Sequence, residues 1–161
     1  MAAVDNRLEL VASASVFLAV AIVALAVQSR RRPRRGIIQL DHLVLTVRSL
    51  SKTIEFYSQV LGMREVTFGD GRKALHFGSQ KLNLHPADRV LDPNVKHATP
   101  GSADLCFLVA GSLEDWMKIL SDRGIPIILG PVLRTGASGP IRSIYIYDPD
   151  ENLLELATPA Q

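Results

Sequence analysis

Apolar residues fall along this chain in two regimes. From Leu10 to Ser29 they run almost without interruption, and no charged side chain intervenes. Beyond Gly36 they alternate, or recur at spacings of three and four, in short blocks separated by Gly, Pro and Asp. Alternation marks a strand with one covered face, and three-and-four recurrence marks an amphipathic helix. The second regime therefore predicts a strand, a helix and three strands, and then the same order again. The first set is "IIQLDHLVLTV", "SLSKTIEFYSQVLG", "MREVTFG", "KALHFG" and "KLNLHP". The second is "ADLCFLV", "SLEDWMKILSDRG", "IPIILG", "RSIYIYDPD" and "NLLELAT". Leu50, Ile54, Tyr57, Val60 and Leu61 share one face of the first helix, and Leu113, Trp116, Met117 and Leu120 one face of the second. Gly62 and Gly124 supply the stop signals.

The two sets match by counting. Val47 and Val109, Gly62 and Gly124, and His42 and Asp104 are all separated by the same number of positions. Asn83 and Glu155 correspond at the far end, with the added length falling in the loop from Gly130 to Pro140. Pro86, Pro93 and Pro100 mark the stretch between the copies as a linker. The expected organisation is an N-terminal hydrophobic segment with its Arg-rich flank over 1–36, module one over 37–87, a linker over 88–100 and module two over 101–158. A single unit of this kind cannot bury its sheet alone, so two must pack edge to edge or exchange with a second chain. The expected class is α+β: two repeated βαβββ modules forming a curled mixed sheet with a central cleft, plus an N-terminal hydrophobic helix, and a homodimer is the expected assembly.

Leu10 to Ser29 approaches the ~20 apolar residues that cross a hydrocarbon core as a helix. Arg30, Arg31, Arg32, Arg34 and Arg35 follow at once. The expectation is a single-pass membrane helix with the globular part on the cytoplasmic side. The alternatives are a signal peptide cleaved after Ala26, giving a secreted protein, and an organellar segment. The formal net charge of +2 rests on those arginines, so the globular part has no basic excess and nucleic acid is not implied. Cys106, the single cysteine, excludes an internal disulfide and agrees with a reducing compartment. In its apolar strand it reads as a core residue.

Together "LDHLVLTV", the helix ending "FYSQVLGM", the hairpin "FGSQKLNLH" and the stretch "YDPDENLLEL" resemble the vicinal oxygen chelate superfamily, which includes glyoxalase I, fosfomycin-resistance proteins, extradiol dioxygenases and bleomycin-resistance proteins. The order "LDH", "KALHFGSQKLNLH", "GPVLRTGASGPI" and "SIYIYDPDENLLEL" is most similar to the glyoxalase domain-containing protein 5 group. The resemblance covers Ile38 to Thr158. It implies that each module contributes two ligands to a divalent metal, zinc, nickel, manganese or iron, from its first and last strands. Carried onto this chain, those positions are His42, Asn83, Asp104 and Glu155, the same four that the internal repeat pairs.

His42 and Glu155 are good ligands for such an ion. Asn83 offers only an amide oxygen where glyoxalases have a carboxylate, and Asp104 stands where a His is common. His85, two residues beyond Asn83 on a strand, points to the same face and is the alternative donor. Asp104 has a second reading as a cap or as the partner of a Lys or Arg. By the resemblance the activity is that of a lactoylglutathione lyase-like lyase or isomerase that chelates vicinal oxygens of a small substrate, a glutathione conjugate among the candidates. Glu155 would then be the catalytic base and Asp104 its partner carboxylate. Arg134, Thr135 and Arg142 border the site and suit a substrate carboxylate or phosphonate. Tyr145 alternates with Ile144 and Ile146, and either pair could face the cleft. The competing classes are an extradiol-type dioxygenase and a metal-free small-molecule-binding protein.

Overall fold

The computed structural model describes residues 35–89 and 91–160. All of its elements lie in one compact unit, Leu40–Gln161. Module one holds β1 (His42–Val47), α1 (Leu50–Gln59), β2 (Arg64–Phe68), β3 (Arg72–Phe77) and β4 (Gln80–Pro86). Module two repeats the order as β5 (Asp104–Leu108), α2 (Leu113–Asp122), β6 (Leu129–Gly136), β7 (Gly139–Tyr147) and β8 (Leu153–Pro159). Both helices start on a serine. Ser49 Oγ accepts from the Lys52 amide at 3.4 Å. Ser112 and Asp115 bond reciprocally in a capping box, with Asp115 N donating to Ser112 Oγ at 3.1 Å and Ser112 N to Asp115 Oδ2 at 3.4 Å. Gly62 (φ +71°) and Gly124 (φ +66°) follow the helices in the left-handed region that side chains avoid, which is why each helix stops there.

Where the sequence suggested one curled sheet, backbone hydrogen bonding builds two four-stranded sheets, β1-β4-β3-β2 and β5-β8-β7-β6. In each, the first and last strands of a module pair in parallel and the rest are antiparallel. Each ladder closes within its own module. β1 and β5 therefore stay at sheet edges.

Alternation decides which residues enter the core. Leu43, Leu45 and Val47 of β1, Leu82 and Leu84 of β4, Ile144 and Ile146 of β7, and Leu154 and Leu156 of β8 point to the helix-covered side and pack into one cluster with Tyr57, Leu113 and Leu120. Trp116 and Met117 pack against it as well. The other face of each sheet is left for His42, Asn83, His85, Asp104 and Glu155.

The modules are joined by a buried polar clamp in the turn between β7 and β8. Tyr57 Oη donates to Asp148 Oδ2 at 2.9 Å. Asp148 also accepts from the amides of Asp150 and Asn152 and from the Asn152 side chain, at 2.8 to 2.9 Å. Asn152 Oδ1 takes the Ala103 amide at 2.9 Å, and Asp150 takes the Arg48 amide at 3.1 and 3.2 Å. Burial, with Asp148 alongside, pushes the Tyr57 phenol far above its ordinary value and keeps it a donor.

The expected membrane helix, and the single-pass localisation drawn from it, is corrected here. No helix among the described residues is long and apolar enough to cross a membrane. Leu10 to Ser29, on which that expectation rested, lies outside the described residues.

Candidate metal centre

On sheet one the open face carries His42 from β1 and Asn83 and His85 from β4. In register, His42 stands beside Lys81, Val44 beside Asn83 and Thr46 beside His85. Asn83 is 8% exposed and His85 9%. The Asn83 Oδ1 and His85 Nδ1 atoms are buried with no hydrogen-bond partner. His42 is more open, and its Nδ1 lies 2.7 Å from Asp41 Oδ1. That contact holds the Asp41 carboxyl below the usual carboxylate range. With Nδ1 donating to the carboxylate, Nε2 carries the free lone pair. This is the way ligating imidazoles are oriented by a neighbouring acid.

Asp41 is the residue that meets the His42 ring, from the position just before the strand. It precedes β1, so the alternation that would have turned it away from its neighbour does not apply.

On sheet two the open face carries Asp104 and Cys106 from β5, Tyr145 from β7 and Glu155 from β8. Cys106 stands beside Glu155 in the parallel register, and Tyr145 opposes it from the other side. Glu155 Oε1 is also buried with no partner. Cys106 is not the core residue the sequence suggested: it is exposed, while Leu105 and Phe107 on either side turn inward to the core. Partial burial and then the Glu155 carboxylate push its thiol up to about 11, so it remains protonated near neutral pH.

A pocket of about 540 Å³ covers this face, with Cys106, Leu108, Arg134, Thr135, Ile141 and Glu155 among its lining residues. Arg134 Nε donates to Tyr145 Oη at 3.0 Å, and its guanidinium lies 5.5 Å from the ring centre. Tyr145 thus faces the site, and Ile144 and Ile146 face the core. Arg142 shares their parity and goes to the helix side, where it pairs with Glu114 of α2 at 3.4 Å. It does not join Arg134 and Thr135.

The candidate ligands therefore form two half-sets, one on each sheet. Among the described residues no three His, Cys, Asp or Glu side chains stand close enough together to hold one ion. The donor chemistry of the half-sets nevertheless fits a divalent metal: an imidazole with its tautomer fixed, a second imidazole nitrogen, an amide oxygen and a carboxylate oxygen. Three of these atoms are buried without partners. Each such atom costs roughly 1–3 kcal/mol if nothing meets it. Two of them, on Asn83 and Glu155, sit at positions related by the internal repeat.

A family model described as the Glyoxalase/Bleomycin resistance protein/Dioxygenase superfamily matches residues 39–156. The chain is 50% identical over 131 residues to a protein of Mycosarcoma maydis called glyoxalase domain-containing protein RDO1, covering 81% of this chain and 74% of that one. It is 52% identical over 119 residues to virulence protein STM3117 of Salmonella typhimurium, covering 74% and 83%. The crystal structure of STM3117 matches with a TM-score of 0.77 over 78% of this chain and all of the other. An integron cassette protein from V. cholerae, 50% identical, also matches with a TM-score of 0.77, over 78% and 98%.

Proposed function

The chain belongs to the Glyoxalase/Bleomycin resistance protein/Dioxygenase superfamily, and from that premise we propose that it is a metal-dependent lyase or isomerase acting on vicinal oxygens of a small substrate, with its centre shared between two copies. His42 and His85 of one copy and Glu155 and Asp104 of the other would hold the ion, with Asn83 adding an amide oxygen. The observation that carries this reading is the coincidence of orphaned atoms with ligand positions: Asn83 Oδ1, His85 Nδ1 and Glu155 Oε1 are buried and unpartnered on two different sheets. The edge positions of β1 and β5 support the pairing of copies, since both strands leave one row of backbone groups open. Val44 and Leu108, exposed apolar residues beside the ligand positions, are suited to being covered by the same contact.

A divalent ion bound there, zinc, nickel, manganese or iron, supplies Lewis acidity toward two neighbouring oxygens of the substrate. The residues of the chain supply the rest. Asp41 holds the His42 ring in orientation. Glu155 would take a proton from one oxygen-bearing carbon of the substrate and return it to the neighbouring carbon, with Asp104 as the second carboxylate. Cys106 stays protonated beside Glu155 and leaves that carboxylate as the base. Arg134, bonded to Tyr145, stands across the strand from it to receive a negative group of the substrate. A thiol-conjugated hydroxycarbonyl, such as a glutathione hemithioacetal, has the required adjacent oxygens and a proton between them.

The test is metal content by mass spectrometry of the purified full chain beside His42→Ala, His85→Ala and Glu155→Ala, followed by proton exchange into a hemithioacetal substrate. Metal lost in all three variants while they remain folded supports the reading. Metal retained in Glu155→Ala overturns it.

A further inference from the structure

The open face of sheet one carries cationic side chains in addition to its candidate ligands. His42, Lys81, His76 and Arg64 are cross-strand partners in a single row over β1, β4, β3 and β2. Neighbouring strands are about 5 Å apart, so the row leads away from His42 in steps of that size. Paired residues across a sheet point to one face, which puts the four side chains on the side where Asn83 and His85 lie. Among the described residues neither Lys81, Arg64 nor Arg72 forms an ion pair; the one carboxylate that answers the row is Asp41, held by His42. Glu65, on the neighbouring strand, turns to the other face and bonds Lys73.

Phe68 takes the place of a counter-ion. The Lys81 ammonium lies 4.5 Å from its ring centre, and the Arg72 guanidinium lies 4.8 Å from it. A ring face can hold a cation in place without neutralising it. Two cations gathered on one ring without a carboxylate leave a preorganised positive surface. An anion meeting it gains charge-assisted hydrogen bonds with little ordering cost in the protein.

We propose that this row is an oxyanion-binding surface that receives the phosphate-like or carboxylate end of the substrate. Its position beside His42 as part of the substrate site rests on the metal-dependent reading above; the anion binding itself does not. The substrate class it selects is a small molecule with chelating oxygens at one end and an oxyanion a few bonds away. The anion sits over Lys81 and His76, with Arg64 closing the outer end and Phe68 keeping the lysine in position.

The experiment uses the full chain, metal-free and 15N-labelled, titrated with inorganic phosphate and separately with acetate at constant ionic strength. The expected result is a saturable shift of the Arg64, His76 and Lys81 amides with at least one anion, and the two arms tell a phosphate-like end from a carboxylate end. Lys81→Met is expected to weaken that binding by about tenfold. Lys118→Met, on α2 and paired with Asp122, is the control and leaves it unchanged. If Lys81→Met fails to fold, His76→Gln replaces it, with a similar loss expected. Shifts that do not saturate, or equal affinity in Lys81→Met and the unaltered chain, overturn the proposal. Since no metal is present, phosphate binding without metal uptake in the companion experiment would keep the anion surface and remove the metal-dependent reading; metal uptake without anion binding would do the reverse.

Discussion

Two groups of buried polar residues in this molecule are handled in opposite ways. In the clamp at Asp148, Asp150 and Asn152, the carboxyl and amide oxygens are met by a phenol, a side-chain amide and backbone amides. On the open faces of the sheets, Asn83, His85 and Glu155 each bury an atom that nothing meets. Both groups come from the most distinctive stretches of the chain, "YDPDENLLEL" and "KLNLHP". The difference separates what holds the fold from what the fold holds ready. A fully satisfied network fixes one arrangement, whereas an unsatisfied one is stable only because the rest of the core outweighs its cost.

Substitution should break the two groups in opposite directions. The largest effect is expected at the clamp: Asp148→Ala strands the Tyr57 hydroxyl, the Asn152 amide and two backbone amides, and should lower unfolding free energy in urea by about 3–5 kcal/mol. Tyr57→Phe removes one donor and should cost about 1–3 kcal/mol.

This residue also carries a pH signature. The folded phenol keeps its proton above pH 10, where the unfolded chain releases it, so stability contributed by Tyr57 is complete below that pH and declines as pH rises through the folded value. Alkaline urea titrations should show this decline in the unaltered chain and its loss in Tyr57→Phe. On the open face, His85→Leu should leave stability unchanged or raise it by up to about 1 kcal/mol while removing metal uptake. The smallest structural effect belongs to Asp41→Asn: no change in melting temperature, with metal affinity weakened by about tenfold because the His42 ring loses its orienting carboxylate. Equal destabilisation of the clamp and the open-face variants would erase the distinction.

The alternation of "LDHLVLTV" was enough to separate His42 from Leu43, Leu45 and Val47, and the repeat was enough to bring forward Asp104, Asn83 and Glu155. These signals are local or periodic, and the strand registers keep the alternation and the repeated order of elements. What pairs across long separations was not legible. Tyr57 reads as one apolar residue on a helix face, and only the fold brings it to Asp148, 91 residues away. Cys106 reads as core because its neighbours are apolar, although its parity with Asp104 places it on the open face. Arg142 lies close to Arg134 in sequence, but its parity with Ile144 and Ile146 sends it to α2 instead. The single curled sheet gave way to two because the closing of each ladder depends on strand order, which hydropathy does not encode.

In the proposed centre the ligand half-sets on sheet one and sheet two complete one another across two copies. Mixing His42→Ala chains with Glu155→Ala chains, under conditions that let subunits exchange, tests it. Each mixed pair would hold one site with both residues intact and one with neither, so metal content should recover to about a quarter of the unaltered protein's value in an equal mixture. A mixture that binds no more metal than the two variants measured separately would contradict it.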